Sequence, residues 1–216
     1  MINFHSHTFF SDGELSPAEL ICRCARQGYR AIGLSDHADE SNFENIIISE
    51  LKCINEINKE NFIKVVCGIE LTYVLPKNIA KVAAECRKAG AKIVIVHGET
   101  LSEDVYPETD LYATQCRDVD ILAHPGLISE KAVKYAAKNN ILLEITSRRG
   151  HCLSNGYVAR LSAIAGAKNI LSTDTHSPDD IISLEFGKLV LSGAGMSNKE
   201  ITATLKNAEN LLKRRM

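Results

Sequence analysis

The chain has 216 residues, 45% of them hydrophobic, with 25 basic against 27 acidic side chains and a formal charge of −2. That length fits one domain spanning residues 1–216, and that hydrophobic share fills a core with no apolar run near the roughly 20 residues a membrane span requires. The near-neutral balance excludes a global basic field of the kind that holds long nucleic acid, and leaves small anionic substrates open.

Seven cysteines, an odd number with no secretion signal ahead of them, point to reduced thiols and a cytoplasmic protein. Cys22, Cys24, Cys53, Cys67, Cys86 and Cys116 read as small core residues.

In chain order, the first predicted strand, residues 2 to 5, closes on His5-Ser6-His7. Two histidines two apart in extended backbone face the same way and can grip one ion. Ser11-Asp12-Gly13 follows, a turn composition that also offers a carboxylate. Ser16 opens a helix with Pro17 in its first turn and Glu19 in the capping-box position, and Gly28 ends it. The second strand, 30 to 35, leads to Asp36-His37; Asp36 points away from His37 and is expected to support the site from behind.

The third strand, 63 to 70, ends on Gly68-Ile69-Glu70, and a helix over 78 to 89 closes on Gly90. The fourth, 91 to 97, delivers His97-Gly98-Glu99, and the fifth, 119 to 123, leads to His124-Pro125-Gly126 before Ser129 caps the next helix. The sixth, 140 to 146, contains Glu144, an inward carboxylate that must be paired to be tolerated, as in support of a metal site. After it come Arg148 and Arg149, whose forks of donors suit a phosphate; His151 and Asn155 complete this candidate substrate-binding group, although Asn155 also suits the start of the helix over 154 to 165 that closes on Gly166. The seventh strand, 168 to 174, gives Asp174 and His176. Ser177 and Ser197 cap the last helices, and Lys213, Arg214 and Arg215 read as a solvated helix end.

Strands alternating with helices imply right-handed crossovers and a parallel sheet. Seven such units predict a (β/α)7 barrel, one strand short of the usual eight. A doubly wound open sheet is the alternative, disfavoured because the candidate ligands are spread over the strand ends instead of meeting at one switch point. In a barrel all carboxyl ends share one face, so these ligands would converge. Six of the seven histidines stand at strand termini, with only His151 outside the set, which points to divalent-metal chemistry.

These residues in this order, from His5-x-His7 through Asp12, Asp36-His37, Glu70, His97-Gly98 and His124-Pro125 to Asp174-x-His176, resemble the polymerase and histidinol phosphatase (PHP) family. The resemblance implies a distorted, TIM-barrel-like seven-stranded barrel that hydrolyses phosphoesters with two to three Zn, Mn or Fe ions. It also implies that His5, His7, Glu70 and Asp174 hold one ion; Glu70, His97 and His124 a second, with Glu70 bridging; and Asp12, His37 and His176 a third. Glu70, Asp174 and His176 are the expected catalytic residues, hydrolysis being expected from a hydroxide shared by two ions about 4 Å apart.

The expected substrate is a small phosphorylated metabolite or nucleotide attacked as a phosphomonoester, with neither a membrane nor a long nucleic acid as partner. A phosphodiesterase or exonuclease acting on short oligonucleotides or cyclic nucleotides is the alternative, and a non-catalytic metal-stabilised binding domain the remote one. The 6% aromatic content offers the nuclease reading no evident stacking platform.

Overall fold

Runs rich in Val, Ile and Leu become strands here because helices and a packed interior cover both of their faces. In the computed structural model, which describes residues 1–216, they are β1 (Ile2–Asn3), β2 (Ala31–Leu34), β3 (His37–Ala38), β4 (Lys64–Leu71), β5 (Ile93–His97), β6 (Ile121–Ala123), β7 (Leu142–Thr146) and β8 (Lys168–Ser172). The helices are α1 (Pro17–Arg26), α2 (Phe43–Glu60), α3 (Ile79–Ala89), α4 (Thr109–Gln115), α5 (Glu130–Asn139), α6 (Asn155–Ala165), α7 (Leu184–Gly193) and α8 (Asn198–Arg215).

All pairings are parallel, in the order β1-β2-β4-β5-β6-β7-β8. The two-residue β3 also pairs with β4, with His37 opposite Glu70, just as Ala31 of β2 lies opposite Lys64. β2 and β3 are thus two segments of one stave, and the sheet is the expected seven-stave, nearly closed barrel.

The seam lies between the first and last staves. Ser6 bridges to Thr175, and the His7 N–H donates to the Thr175 carbonyl at 2.8 Å. Lower down, the Asn3 amide replaces a backbone ladder, donating to Thr173 Oγ1 at 2.8 Å and accepting from the Thr173 N–H at 3.1 Å. The barrel interior is filled by Ile2, Phe4, Val66, Ile93, Ile95, Ile121 and Ile170, with Ala208 and Leu211 of α8 in the same cluster. α8 therefore plugs the amino end, and the carboxyl end is left for chemistry.

Three expectations need correction. The basic tail is not simply solvated: Arg214 and Arg215 bond to Oδ1 of the buried Asp120, at 3.1 and 2.6 Å, while Arg87 takes its Oδ2 at 2.5 Å. Ser16 does cap α1, accepting from the Glu19 N–H at 3.2 Å, but the Glu19 carboxylate turns along the helix to Arg23 at 2.7 Å instead of closing a box. Cys22 is exposed on α1, because a residue two positions from the buried Cys24 points to another side of a helix. All seven cysteines are free, and no helix is long and apolar enough to cross a membrane.

Candidate metal centre

Each strand end delivers its side chain for a local reason. His5 and His7 extend β1 inward, while Ser6 between them turns to the barrel wall and donates to the Gly33 carbonyl at 2.5 Å. The following loop folds over Asp36, which accepts from the N–H and hydroxyl of Thr8, both at 2.7 Å, and from the hydroxyl of Ser11 at 2.6 Å. Gly13 closes this loop so tightly that a Cβ there would collide with the His7 carbonyl. Asp36 thus shapes the loop that carries Asp12, the supporting role expected of it.

His124 and Asp174 sit just past their strands with left-handed backbones, φ 25° and 51°. Outside glycine that conformation costs on the order of 1 kcal/mol or more, and here it falls on two residues whose side chains meet at 3.6 Å.

Glu70 occupies the middle. Its Oε1 is 3.2 Å from His5 Nε2 and 3.8 Å from His124 Nε2. Its Oε2 is 3.4 Å from His7 Nε2 and 2.8 Å from His37 Nδ1, the latter without hydrogen-bond geometry, while that nitrogen also lies 2.7 Å from Thr72 Oγ1. Asp174 lies 3.1 Å from His7 Nε2, 3.4 Å from His5 Nε2 and 3.6 Å from His124 Nε2. At the open edge Asp12 Oδ1 is 3.3 Å from His176 Nε2 and 3.6 Å from His37 Nε2.

Donor atoms gather within 4.8 Å of one another in several sets: His5 with His7 and Asp174; His7 with Asp12, His37 and His176; and His124 with His151 and Asp174. His97 stands edge-on to His124, ring centroids 4.5 Å apart, with its Nε2 3.1 Å from Glu103. The nine expected ligands therefore surround one cavity, His97 being held the least closely.

Whether these residues suit divalent ions is answered by their unpaired atoms. His5 Nε2, both ring nitrogens of His7 and of His124, both oxygens of Glu70 and Oδ1 of Asp174 are buried with no hydrogen-bond partner. A buried polar atom left so costs roughly 1–3 kcal/mol, so this concentration fits cations held among them. Outer groups orient the rings as metal sites require. Glu144 Oε1 takes His5 Nδ1 at 2.7 Å and its Oε2 accepts the His124 N–H at 2.9 Å, while the Asp174 carbonyl lies 2.9 Å from His176 Nδ1.

The protonation states suit ligation in part. Burial and the neighbouring His37 push His7 down to about 4, and burial and His97 hold His124 well below the usual imidazole range. Burial would raise Glu70 and Asp174, but the imidazoles around them outweigh it and keep both carboxyls well below their ordinary values. For His37 burial is outweighed by Glu70, which raises it to about 9, and His5 is raised in the same way by Glu70 and Glu144.

The candidate substrate group divides. Asn155 is spent: its amide accepts from the Thr146 N–H at 3.2 Å and donates to the Thr146 carbonyl at 2.8 Å, so it neither caps α6 nor faces an anion. Arg148 pairs with Asp180 at 2.9 Å, and that carboxylate also accepts the N–H groups of His176 and Ser177. Arg149 is exposed with no ion pair or hydrogen bond. His151 is buried among the donors, and Glu99 turns away to the start of α4, accepting from the Asp110 N–H at 3.0 Å. Sequence reasoning missed Glu103, Thr72, Thr100 and Asp180, and also the exposed Phe9, Tyr73 and Tyr106 on loops after β1, β4 and β5. Tyr73 carries a left-handed backbone, φ 58°, and lies nearly parallel to His97.

Comparison with known proteins agrees with this geometry. A family model described as the PHP domain matches residues 3–148. That segment ends before Asp174 and His176, which join the cluster through the fold. An uncharacterized protein of Methanocaldococcus jannaschii is 48% identical over 214 residues, covering 98% of each chain. The DNA polymerase/3'-5' exonuclease PolX of Bacillus subtilis is 24% identical over 237 residues, which take in 98% of this chain but 41% of PolX. Among solved structures, the crystal structure of an uncharacterized protein superposes with a TM-score of 0.60 at 9% identity, over 99% of this chain and 74% of the other, a likeness of fold.

Proposed function

Because this chain belongs to the PHP domain family, whose members are generally metal-dependent hydrolases, we propose that it hydrolyses phosphoesters, with phosphomonoesters of small metabolites or nucleotides preferred. The observation that carries this reading is the convergence of buried, unpartnered imidazole and carboxylate atoms at the barrel's carboxyl end. His5, His7, Glu70 and Asp174 would hold one divalent ion, Glu70, His97 and His124 a second, and Asp12, His37 and His176 a third. Imidazole with carboxylate suits Zn, Mn or Fe. When bound, such ions supply positive charge to phosphoryl oxygens and acidify a water at neutral pH.

The chain's own residues do the rest. Glu70 meets the first set through both oxygens, Oε1 beside His5 and Oε2 beside His7, and its Oε1 also reaches towards His124 of the second, so it ties the two sets together. Asp174, reaching His5, His7 and His124, orients the rings about the same point. Arg149 stands free on the loop after β7 to meet an outer phosphoryl oxygen, and Arg148 stiffens that loop through Asp180. His176, against burial that would lower it, is raised by Asp12 and Asp174, which favours its protonated form at the open edge, from where a proton can pass to the leaving oxygen when the third ion is absent.

A diester or exonuclease reading stands second, favoured by the likeness to PolX and by Phe9, Tyr73 and Tyr106, exposed faces on which a base can stack. The deciding experiment is kcat/KM for monoesters and diesters with matched leaving groups on the fully metallated protein. A higher value for the monoester supports the first reading, and a much higher one for the diester reverses the order.

A further inference from the structure

His151, placed with the substrate contacts by its sequence position, lies in the structure among the metal donors. It is 6% exposed and opens a short 3-10 turn after β7, behind Gly150 at φ 88°. One of its nitrogens shares a sphere of 4.8 Å with donors of His124 and Asp174. Its ring stacks on that of His124, centroids 4.2 Å apart and planes 26° apart. The same relationship recurs at the opposite side of the centre, where His7 stacks on His37 at 4.1 Å and 27° and on His176 at 4.2 Å and 26° within one donor set.

A hydroxyl also stands where it can set the tautomer. Thr100 Oγ1 lies 2.7 Å from His151 Nδ1, and a ring whose Nδ1–H donates to that hydroxyl presents a bare Nε2 lone pair. Nε2 faces Glu103 Oε1 at 3.4 Å, and the other oxygen of Glu103 is 3.1 Å from His97 Nε2. One carboxylate thus spans two imidazoles, His97 at the end of β5 and His151 on the segment that follows β7. The second ion's set has only three residues and is loosely gathered, with His124 no nearer than 3.8 Å to Glu70 and His97 drawn towards Glu103.

We propose that His151 is a further metal ligand, joining His97 and His124 of the second ion's set within reach of Asp174, with Thr100 and Glu103 as the residues that position its ring. Three imidazoles and a carboxylate make a nitrogen-rich set, which selects Zn, Fe or Co over Mg or Ca. The assignment rests on the reading of this cavity as a metal centre, and it moves His151 out of the substrate-binding group, leaving Arg149 there.

Co(II) is the probe. The metal-free wild type, His151→Ala, Thr100→Val and Arg149→Ala are titrated with Co(II) against a competing chelator, and the visible ligand-field bands are recorded at each equivalent. In His151→Ala one class of site should weaken at least tenfold and its bands should change, while the other sites titrate as in the wild type. Thr100→Val should weaken the same class less, and Arg149→Ala should leave all of them unchanged. Wild-type affinities and spectra in His151→Ala would overturn the assignment and return His151 to substrate binding. If that variant does not fold, Thr100→Val decides, since it frees the ring without removing it: unaltered affinity and bands there overturn the proposal equally. A wild type that takes up no Co(II), Zn or Mn at all would instead overturn the metal centre itself.

Discussion

The Glu144 carboxylate stands 2.7 Å from His5 Nδ1, and its second oxygen accepts the backbone N–H of His124 at 2.9 Å. One buried acid on β7 therefore sets the ring of one expected ligand and the left-handed backbone of another. Glu144→Gln keeps the shape and removes the charge, so metal affinity should fall roughly 10- to 100-fold while the metal-free fold survives. Competition titration with a chelator measures the first, and circular dichroism of the metal-free variant the second.

Glu70 and His176 should separate by stoichiometry. Glu70 approaches four histidines, so Glu70→Ala should lose more than one ion, whereas His176→Ala should mainly empty the set it shares with Asp12 and His37. Elemental analysis after loading and desalting reads both. Unchanged metal content in the Glu70 variant would remove the bridge from the site.

Metal uptake should depend on pH with a definite sign. Against the pull of burial, Glu70 raises His37 in the metal-free chain to about 9, so below that value an ion entering its set must displace a proton. Affinity should rise by about one log unit per pH unit for each proton displaced and flatten above pH 9. Without metal the same shift acts on stability. His37 contributes fully below its unfolded value of 6.5 and loses that contribution as pH rises to about 9, so the metal-free chain should melt lower at pH 9 than at 6.5. Calorimetry in buffers of different ionisation enthalpy checks the proton release, and thermal melts check the stability.

The convergence of the expected ligands was legible in the sequence because a parallel barrel maps strand ends onto one face, so His5, Glu70, His124 and Asp174 could be placed together without knowing any distance. Their supporting groups were not. Thr72 and Thr100 look like ordinary loop threonines, and Glu103 sits in an exposed polar stretch indistinguishable from a turn. Asn155 misled because an amide at a helix start has several plausible partners, and only the close approach of β7 decides among them. The tail misled for a related reason. Arg214 meets Asp120 across 94 residues, and nothing local to Asp120 announces that it is buried.

That long-range pair carries a stability prediction. Asp120 is fully buried and answers Arg87, Arg214 and Arg215 together, tying α3 and α8 to the foot of β6. Asp120→Asn should cost about 3 kcal/mol, the lower end for breaking a buried pair, because Arg214 and Arg215 can turn to water. Removing the last two arginines together should cost less, since Arg87 still pairs with Asp120. Urea denaturation of the metal-free protein measures both, and metal stoichiometry should be unchanged, the opposite end of the barrel being affected.

The two arginines after β7 should behave differently, although they are neighbours. Arg149 is exposed with no partner, so Arg149→Ala should remove only a contact to the phosphoryl group: KM for a monoester rises or kcat falls, by roughly tenfold in kcat/KM for one charge-assisted contact at an open rim. Arg148 holds Asp180, which in turn accepts the N–H groups of His176 and Ser177. Arg148→Ala should therefore loosen the turn that carries His176, weakening the third ion's set as well as turnover, and part of its defect should be recovered by raising the metal concentration. Arg149→Ala should not respond to added metal. A diester has one negative charge fewer than a monoester and loses less when Arg149 is removed, so the ratio of the two kcat/KM values should move towards the diester in that variant alone. Equal losses on both substrates would place Arg149 outside the phosphate site.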